Sequence, residues 1–300
     1  MEFDPLRLAA LRAAVETGTF EAAARQLHVT PSAISQRIKS LESETGRVLL
    51  QRSRPVFPTA SGEVLLKLAR QVEALGRDAS ATLGRDGLES GSPSVGDRLD
   101  PLPIAVNADS LATWLLPALA PLASEIAFEL HRADESRTTE LLRQGAVTAA
   151  ITGDPRPVQG CSSAPLGAMR YRPMAAPAYA ERWFGERVGL AVALARAPVV
   201  VFDAADELQH RYLSARGIDP ASPPCHYVPS SADFVEAIRL GFGWGLVPEL
   251  QVGDSDALVR IDPDRHIDVP LHWQQWQLHT AALARTAAAV EAAAATALVR

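Results

Sequence analysis

Along the first sixty residues apolar side chains recur at helical spacing in three short blocks. Leu6, Leu8, Ala9, Leu11, Ala14 and Val15 form one stripe, which stops at Gly18. Thr19 is placed to cap a second helix with Ala22, Ala23 and Leu27 on its inner side, and His28 and Val29 follow as a turn. Thr30 and Pro31 make an N-cap and first-turn pair, so a third helix starts there and ends before Gly46. Two short helices joined by a three-residue turn constitute a helix-turn-helix. Val48 to Pro58, with short apolar runs around an Arg-Pro turn, predicts a β-hairpin, or wing.

Thr59 can cap a long helix reaching Leu83. In it Leu65, Leu68, Val72, Leu75, Ala79 and Leu83 keep steps of three and four, a coiled-coil seam that spans roughly 40 Å at about 1.5 Å per residue. An isolated stripe of this kind calls for a second chain, and Leu65, Leu68, Val72 and Leu75 are the expected dimer contacts. The periodicity dissolves from Gly84 to Pro103, a stretch rich in Gly, Ser, Asp and Pro that reads as a hinge. Strand and helix signals then alternate: Ile104 to Val106, Ser110 to Leu122, Ala127 to His131, Glu135 to Gln144 and Ala146 to Thr152. Such alternation means a mostly parallel α/β sheet. The fold class is therefore α/β overall, with a winged helix-turn-helix at the N-terminus. The boundaries fall at 1–58, a linker helix at 59–85, a hinge at 86–102 and a C-terminal domain at 103–300.

Charge separates the two ends. The 300-residue chain carries a net charge of -6, yet its first sixty residues hold eight basic against six acidic side chains. Between Arg25 and Arg54 the balance is six to two. A basic surface on an acidic protein, inside a helix-turn-helix pattern, points to double-stranded DNA. The third helix has two faces. Ala33, Ile34, Ile38 and Leu41 would face a core, while Ser32, Ser35, Gln36 and Lys39 follow helical spacing on another side. Small hydroxyls and an amide near a helix N-terminus suit base edges and phosphates. The candidate DNA contacts are Thr30, Pro31, Ser32, Ser35, Gln36, Arg37 and Lys39 from the helix, with Arg52 and Arg54 from the wing.

Other classes find little support. Cys161 and Cys225 stand far apart with no ligand-spaced partner, which argues against a disulfide framework or a metal site, and no cofactor is expected. No apolar run reaches membrane-spanning length and the N-terminus does not read as a signal peptide, so a cytoplasmic location is expected. There is no GxSxG, GxxxxGK or HExxH, and the expected class is not an enzyme. GFGWG, with Gly241, Gly243 and Gly245, lacks the third glycine of a dinucleotide fingerprint and suits a helix-to-strand turn. Trp273 and Trp276 suit packing, and His266, His272 and His279 do not share a helix face. Two other readings stay open: a chromosome-organising protein of broad DNA specificity, and an α/β enzyme or solute-binding protein with an appended basic domain.

The run FEAAARQLHVTPSAISQRIKSLESETGRVLLQRSRP, Phe20 to Pro55, resembles the DNA-binding domain of LysR-type transcriptional regulators. VNADSLATWLLPAL (Val106 to Leu119), ITGDP (Ile151 to Pro155), VVFDAADELQHRYL (Val200 to Leu213), VPSSADFVEAIRLGFGWGLVPE (Val228 to Glu249) and PLHWQQWQL (Pro270 to Leu278) resemble the ArgP/LysG branch of that family. The resemblance covers essentially the whole chain. It implies a two-lobed, periplasmic-binding-protein-like effector domain, with lobe I near 103–168 and 274–300 and lobe II near 169–273. It further implies crossing strands near Met169 to Ala176 and Pro270 to Leu278, and an Ala281 to Val299 helix returning to lobe I. Regulators of this branch respond to basic amino acids and activate a gene for an amino-acid exporter. The resemblance implies dimers paired into tetramers on a pseudo-palindromic operator, and it admits RNA polymerase as a further partner.

An effector between the lobes would meet strand ends and helix starts. Asn107, Asp109 and Ser110, then Thr152 and Asp154, then Phe202 and Asp203, then Ser230 and Ser231, occupy such positions and are the candidate effector contacts. Helix capping accounts equally for Asp109, Ser110 and Ser231 without a ligand, and Asp154 before Pro155 suits a turn. Among them Asp109 is the expected partner of an effector ammonium group.

Overall fold

The computed structural model describes residues 2–51, 53–86, 101–185, 189–252 and 258–300. Arg52 and positions 87–100 of the expected hinge lie outside the described residues.

Three helices open the chain: α1 (Pro5–Thr17), α2 (Phe20–Gln26) and α3 (Pro31–Thr45). The side chains of Asp4, Thr19 and Thr30 accept backbone N–H groups at the starts of α1, α2 and α3, and Gly18 and Gly46 end α1 and α3 in the left-handed region. The predicted wing is a two-stranded antiparallel hairpin of β1 (Leu50–Gln51) and β2 (Phe57–Pro58). Leu8, Leu11, Ala14, Ile34, Ile38, Leu41 and Leu49 make a closed core, which fixes α3 by its apolar side and turns the other side outward.

Helix α4 (Ala60–Asp86) starts behind Thr59, whose hydroxyl accepts the Gly62 N–H at 3.1 Å. One position of the expected seam is covered by the chain itself. Leu65 is 6% exposed because it faces the N-terminal core, so it has no surface left for a partner chain. The exposed apolar stripe instead runs through Val64, Val72, Leu75 and Leu83, with half-buried Leu68 between Val64 and Val72. The opposite side of α4 grips both domains. Arg70 ion-pairs with Glu16 of α1 and donates to the Gln144 carbonyl at 3.0 Å, and Lys67 donates to the Gln159 carbonyl at 2.8 Å. Asp78 accepts the Ala281 N–H at 2.9 Å.

The C-terminal domain begins with β3 (Pro101–Val106), followed by α5 (Ala108–Ser110), a π-helical turn at Leu111–Leu115 and α6 (Leu116–Leu119). The helix predicted from Ser110 to Leu122 is present without interruption, but its register passes from α to π and back, ending in a 3-10 turn. Pro117 has no N–H to give and crowds the preceding turn, and the π register accommodates it. Next come β4 (Ala127–Arg132), α7 (Glu135–Gln144), β5 (Ala149–Thr152) and β6 (Cys161–Ala175). Then follow α8 (Pro177–Phe184), α9 (Leu190–Leu194), β7 (Val199–Val201), α10 (Leu208–Ser214) and β8 (Cys225–Tyr227). The last elements are α11 (Ser231–Arg239), β9 (Gly245–Pro248), β10 (Val259–Arg260), β11 (Ile267–Trp276) and α12 (Ala281–Ala297).

β3, β4 and β5 are parallel neighbours and form the sheet of lobe I. β6 and β11 run antiparallel from Ile267 opposite Tyr171 to Trp276 opposite Cys161, the two long strands that join the lobes, and β9 and β10 pair with β6 in lobe II. β7 and β8 form a separate parallel pair in lobe II. GFGWG is the helix-to-strand turn: a Cβ on Gly243 would lie 2.7 Å from the Pro198 carbonyl oxygen, so only glycine lets these backbones approach. Trp273 and Trp276 are core residues, and α12 packs back on α6 and β6. Among the described residues no helix is long and apolar enough to cross a membrane.

Candidate functional site

Two surfaces hold the predicted residues. On the N-terminal domain Thr30, Pro31, Ser32, Gln36 and Lys39 are exposed along α3, and Ser35 and Arg37 are half-buried beside them. Thr30 is occupied as a cap, accepting the Ala33 N–H at 3.2 Å and sharing a hydrogen bond with Ser32 at 2.9 Å. The Arg54 side chain is 85% exposed on the wing, 3.8 Å from Glu21. The capped start of α3, with its positive helix end, therefore points outward next to hydroxyls, an amide and cations. That combination has the chemistry that suits a phosphate backbone and base edges.

The second surface is a cleft of about 550 Å³ between the lobes. Strand ends and helix starts build it: Asn107 and Asp109 follow β3, Arg132 and Asp134 follow from the end of β4, and Phe202, Asp203 and Asp206 follow β7. Of the sequence candidates Asn107, Asp109, Phe202 and Asp203 are in its wall. Ser110, Thr152, Ser230 and Ser231 are not in the wall itself. Ser110 is fully buried behind it, and Thr152 is buried with its hydroxyl accepting the Asp154 N–H at 3.2 Å.

Asp154 is a correction. The N–H and guanidinium of Arg156 hold its carboxylate in a surface turn, at 3.0 to 3.2 Å, and keep it below the usual carboxylate range. Its backbone carbonyl accepts from Gln274 at 2.8 Å, which fixes the turn away from the cleft.

Asp109 joins three elements. It accepts hydrogen bonds from the Tyr171 hydroxyl on β6 and from the Ser231 hydroxyl at the start of α11, each at 2.6 Å, and Gln251 donates to Ser231 at 2.6 Å. Burial and the Asp109 carboxylate hold the Tyr171 phenol well above its ordinary value, so it stays a neutral donor. Two donors leave the carboxylate with further lone pairs for a ligand. Asp203 accepts the Ala205 and Asp206 N–H groups at 2.8 and 3.1 Å, and Asp206 accepts those of Leu208 and Phe202. Burial pushes the Asp206 carboxyl up, the two N–H groups oppose that, and the nearby Asp109 and Asp203 charges add to it.

The wall also holds Glu207, Gln209 and Arg211, which sequence reasoning did not single out. Arg132 and Asp134 were missed too, although the rule of strand end and helix start applies to them. Gln209, at the start of α10, also fits that rule, whereas Tyr171, in mid-strand, carries no local signal. Asp109, Asp134, Asp203, Asp206 and Glu207 face Arg132 and Arg211 in this cleft, an acid-rich site with two cations. Such a wall offers acceptors to a cationic group and donors to an anionic one. Among the described residues no group of His, Cys, Asp or Glu side chains is placed to hold a metal ion.

Comparison with known proteins joins the two surfaces. Residues 6–63 match the family described as bacterial regulatory helix-turn-helix protein, lysR family, and residues 100–298 match the LysR substrate binding domain. The chain is 39% identical over 296 residues to the HTH-type transcriptional regulator LysG of Mycobacterium bovis, covering 98% of this chain and 94% of that protein. It is 43% identical over 282 residues to the HTH-type transcriptional regulator ArgP of Pseudomonas fluorescens, covering 92% and 91%. Among solved structures, ArgP from Mycobacterium tuberculosis superposes with a TM-score of 0.87 at 38% identity, covering 100% of this chain and 99% of that one. Full-length LysG from Corynebacterium glutamicum with bound effector Arg superposes with a TM-score of 0.81 at 36% identity, covering 99% and 100%. These relatives are transcriptional regulators and not enzymes. With both family regions matched and near-complete coverage by such relatives, the chain belongs to the LysR family of bacterial helix-turn-helix transcriptional regulators.

Proposed function

We propose that this regulator is gated by a basic amino acid of the lysine, arginine or histidine class and controls a gene for an amino-acid exporter. The observation that carries the reading is the inter-lobe cleft, whose five carboxylates surround two arginines. An amino acid brings one carboxylate for an arginine, and a basic one brings additional positive charge for the acids. Asp109 is the ammonium partner in this reading. A bound arginine in the Corynebacterium glutamicum relative supports the ligand class, and a Corynebacterium efficiens relative named lysine export transcriptional regulatory protein supports the target.

DNA enters at α3 and the wing, with Ser32, Ser35, Gln36 and Lys39 toward the major groove and Arg54 on the backbone or minor groove. The exposed stripe on α4 supports pairing of two copies, which calls for a pseudo-palindromic operator read in the cytoplasm; pairing of the effector domains then makes the tetramer. Ligand binding shifts DNA affinity only through unequal affinity for two states of the assembly, so a closing cleft is the required transducer. The test is calorimetric titration of the twenty amino acids, followed by operator footprints with each binder. Binding confined to basic amino acids, with a changed footprint, is the expected result. Absence of basic-amino-acid binding would overturn the effector assignment, and equal affinity for operator and random DNA would overturn promoter-specific control.

A further inference from the structure

Four of the cleft carboxylates already accept hydrogen bonds from the protein. Asp109 takes two hydroxyls, Asp203 and Asp206 take backbone N–H groups, and Asp134 takes the Arg137 N–H at 2.8 Å. Two neutral acceptors in the same wall take none. Gln209 Oε1 and Asn107 Oδ1 are buried and unpartnered, and Gln209 as a whole is 1% exposed. Nearly all buried acceptors in proteins are paired, because an unpaired one forfeits the water it gave up. A pair of such oxygens lining a cavity is an acceptor site awaiting donors. The two come from opposite lobes, Asn107 behind β3 and Gln209 from the first turn of α10, so one ligand group bonding both would tie the lobes together.

The cations are distributed the other way. Arg132 and Arg211 line the cleft and are exposed, whereas the two unpaired acceptors of its wall are buried. On the effector reading given above, we propose that the amino acid enters side chain first. Its carboxylate stays at the mouth with Arg132 and Arg211, and its terminal nitrogen donates to Gln209 Oε1 and Asn107 Oδ1 inside. Gln209 is then a specificity residue: it selects for a side chain ending in N–H donors against one with the same carbon chain that ends in a methyl group. A site with unpaired buried acceptors rejects a ligand without donors, whereas an apolar pocket would not. Arginine, with five guanidinium donors, can serve both oxygens at once.

The experiment compares lysine, arginine and norleucine, which is lysine without its terminal nitrogen, by calorimetry on the full chain. Wild type should prefer lysine to norleucine, and Gln209→Met, of similar length but without the oxygen, should reduce that preference by about ten- to a hundredfold. Gln209→Glu, an acceptor when ionised, should retain it. Without ligand, Gln209→Met should unfold at or above the wild-type temperature, since it removes an unpaired buried oxygen. A damaged cleft would instead weaken all three ligands together and leave the ratio as it was. If wild type binds lysine and arginine while Gln209→Met keeps the wild-type lysine-to-norleucine ratio, this proposal is overturned and the basic-amino-acid reading stands. If wild type binds neither, both fall.

Discussion

The polar groups of α3 and those of the inter-lobe cleft are held in opposite ways. Ser32, Gln36 and Lys39 sit exposed on one helix whose other side is locked into the core by Ile34, Ile38 and Leu41. Their spacing comes from one short piece of chain, and little besides the backbone orients them. In the cleft Asp109 is oriented by Tyr171 and Ser231, which stand 62 and 122 residues away in sequence. An exposed face of this kind suits a large, stiff polyanion that supplies its own geometry. A small flexible ligand supplies none, so the protein must pre-arrange its donors and acceptors.

The largest predicted effect tests whether the α3 face works alone. Leu75→Glu puts a charge in the exposed stripe of α4, away from both cores. The variant should sediment as a smaller species and lose operator affinity by about a hundredfold, as expected when two half-sites no longer bind as one. Wild-type sedimentation would remove the stripe from the interface. Leu75 is the better site for this test than Leu68, which also packs against the N-terminal core.

Next in size is Asp109→Asn, which should cost about 1.5–3 kcal/mol of basic-amino-acid binding by calorimetry, the range for a hydrogen bond to a charged group. An unchanged lysine and arginine affinity would exclude Asp109 as the ammonium partner. The α3 face should respond more gently, because its contacts are many and each is wet. Arg54→Ala should weaken all DNA alike and lower the slope of log affinity against log salt by about one, whereas Ser35→Ala should relax preference at a single operator position. Binding isotherms across salt concentrations and operator variants separate the two, and wild-type behaviour in both variants would take this surface out of contention.

The smallest effect is on pH dependence. The Asp206 carboxyl titrates higher in the folded chain than unfolded, mainly through burial, so the native state keeps its proton to higher pH. Stability from this group therefore falls as pH rises from the ordinary carboxylate range through the raised value, and it stays lower above that. Asp206→Asn should flatten the decline in thermal midpoint over that window. A profile identical to wild type would show that Asp206 is not shifted by its surroundings.

Local chemistry explains which parts could be read from the chain. Caps such as Thr30 with Pro31, and stops such as Gly18 and Gly46, act within a few residues, so the helices of the N-terminal domain follow from their spacing. On α4 the structure leaves Val72 and Leu75 of the expected seam exposed and Leu68 half-buried, and covers Leu65. Adjacent positions of a helix edge differ only in which neighbour covers them, and here the chain's own core covers Leu65 and leaves Val64 bare. In the cleft the rule of strand end and helix start located Asn107, Asp109, Phe202 and Asp203. It misplaced Asp154, whose carboxylate is captured by an arginine two residues on. Tyr171 was invisible because only the crossing of β6 brings it there, and Gln209 was passed over although it opens α10.

The grip of α4 on its own C-terminal domain bears on how such proteins can be cut and recombined. Similarity divides the chain between residues 63 and 100, which invites treating the two ends as interchangeable modules. The hydrogen bonds divide it elsewhere. Arg70 covers the last carbonyl of α7 and Asp78 covers the first N–H of α12, so α4 completes two helix ends that belong to the other module. A fragment beginning at residue 100 would leave those ends to water. A chimera would need a cation and an acid in its own helix, eight residues apart, before the grafted domain sat against it as it does here.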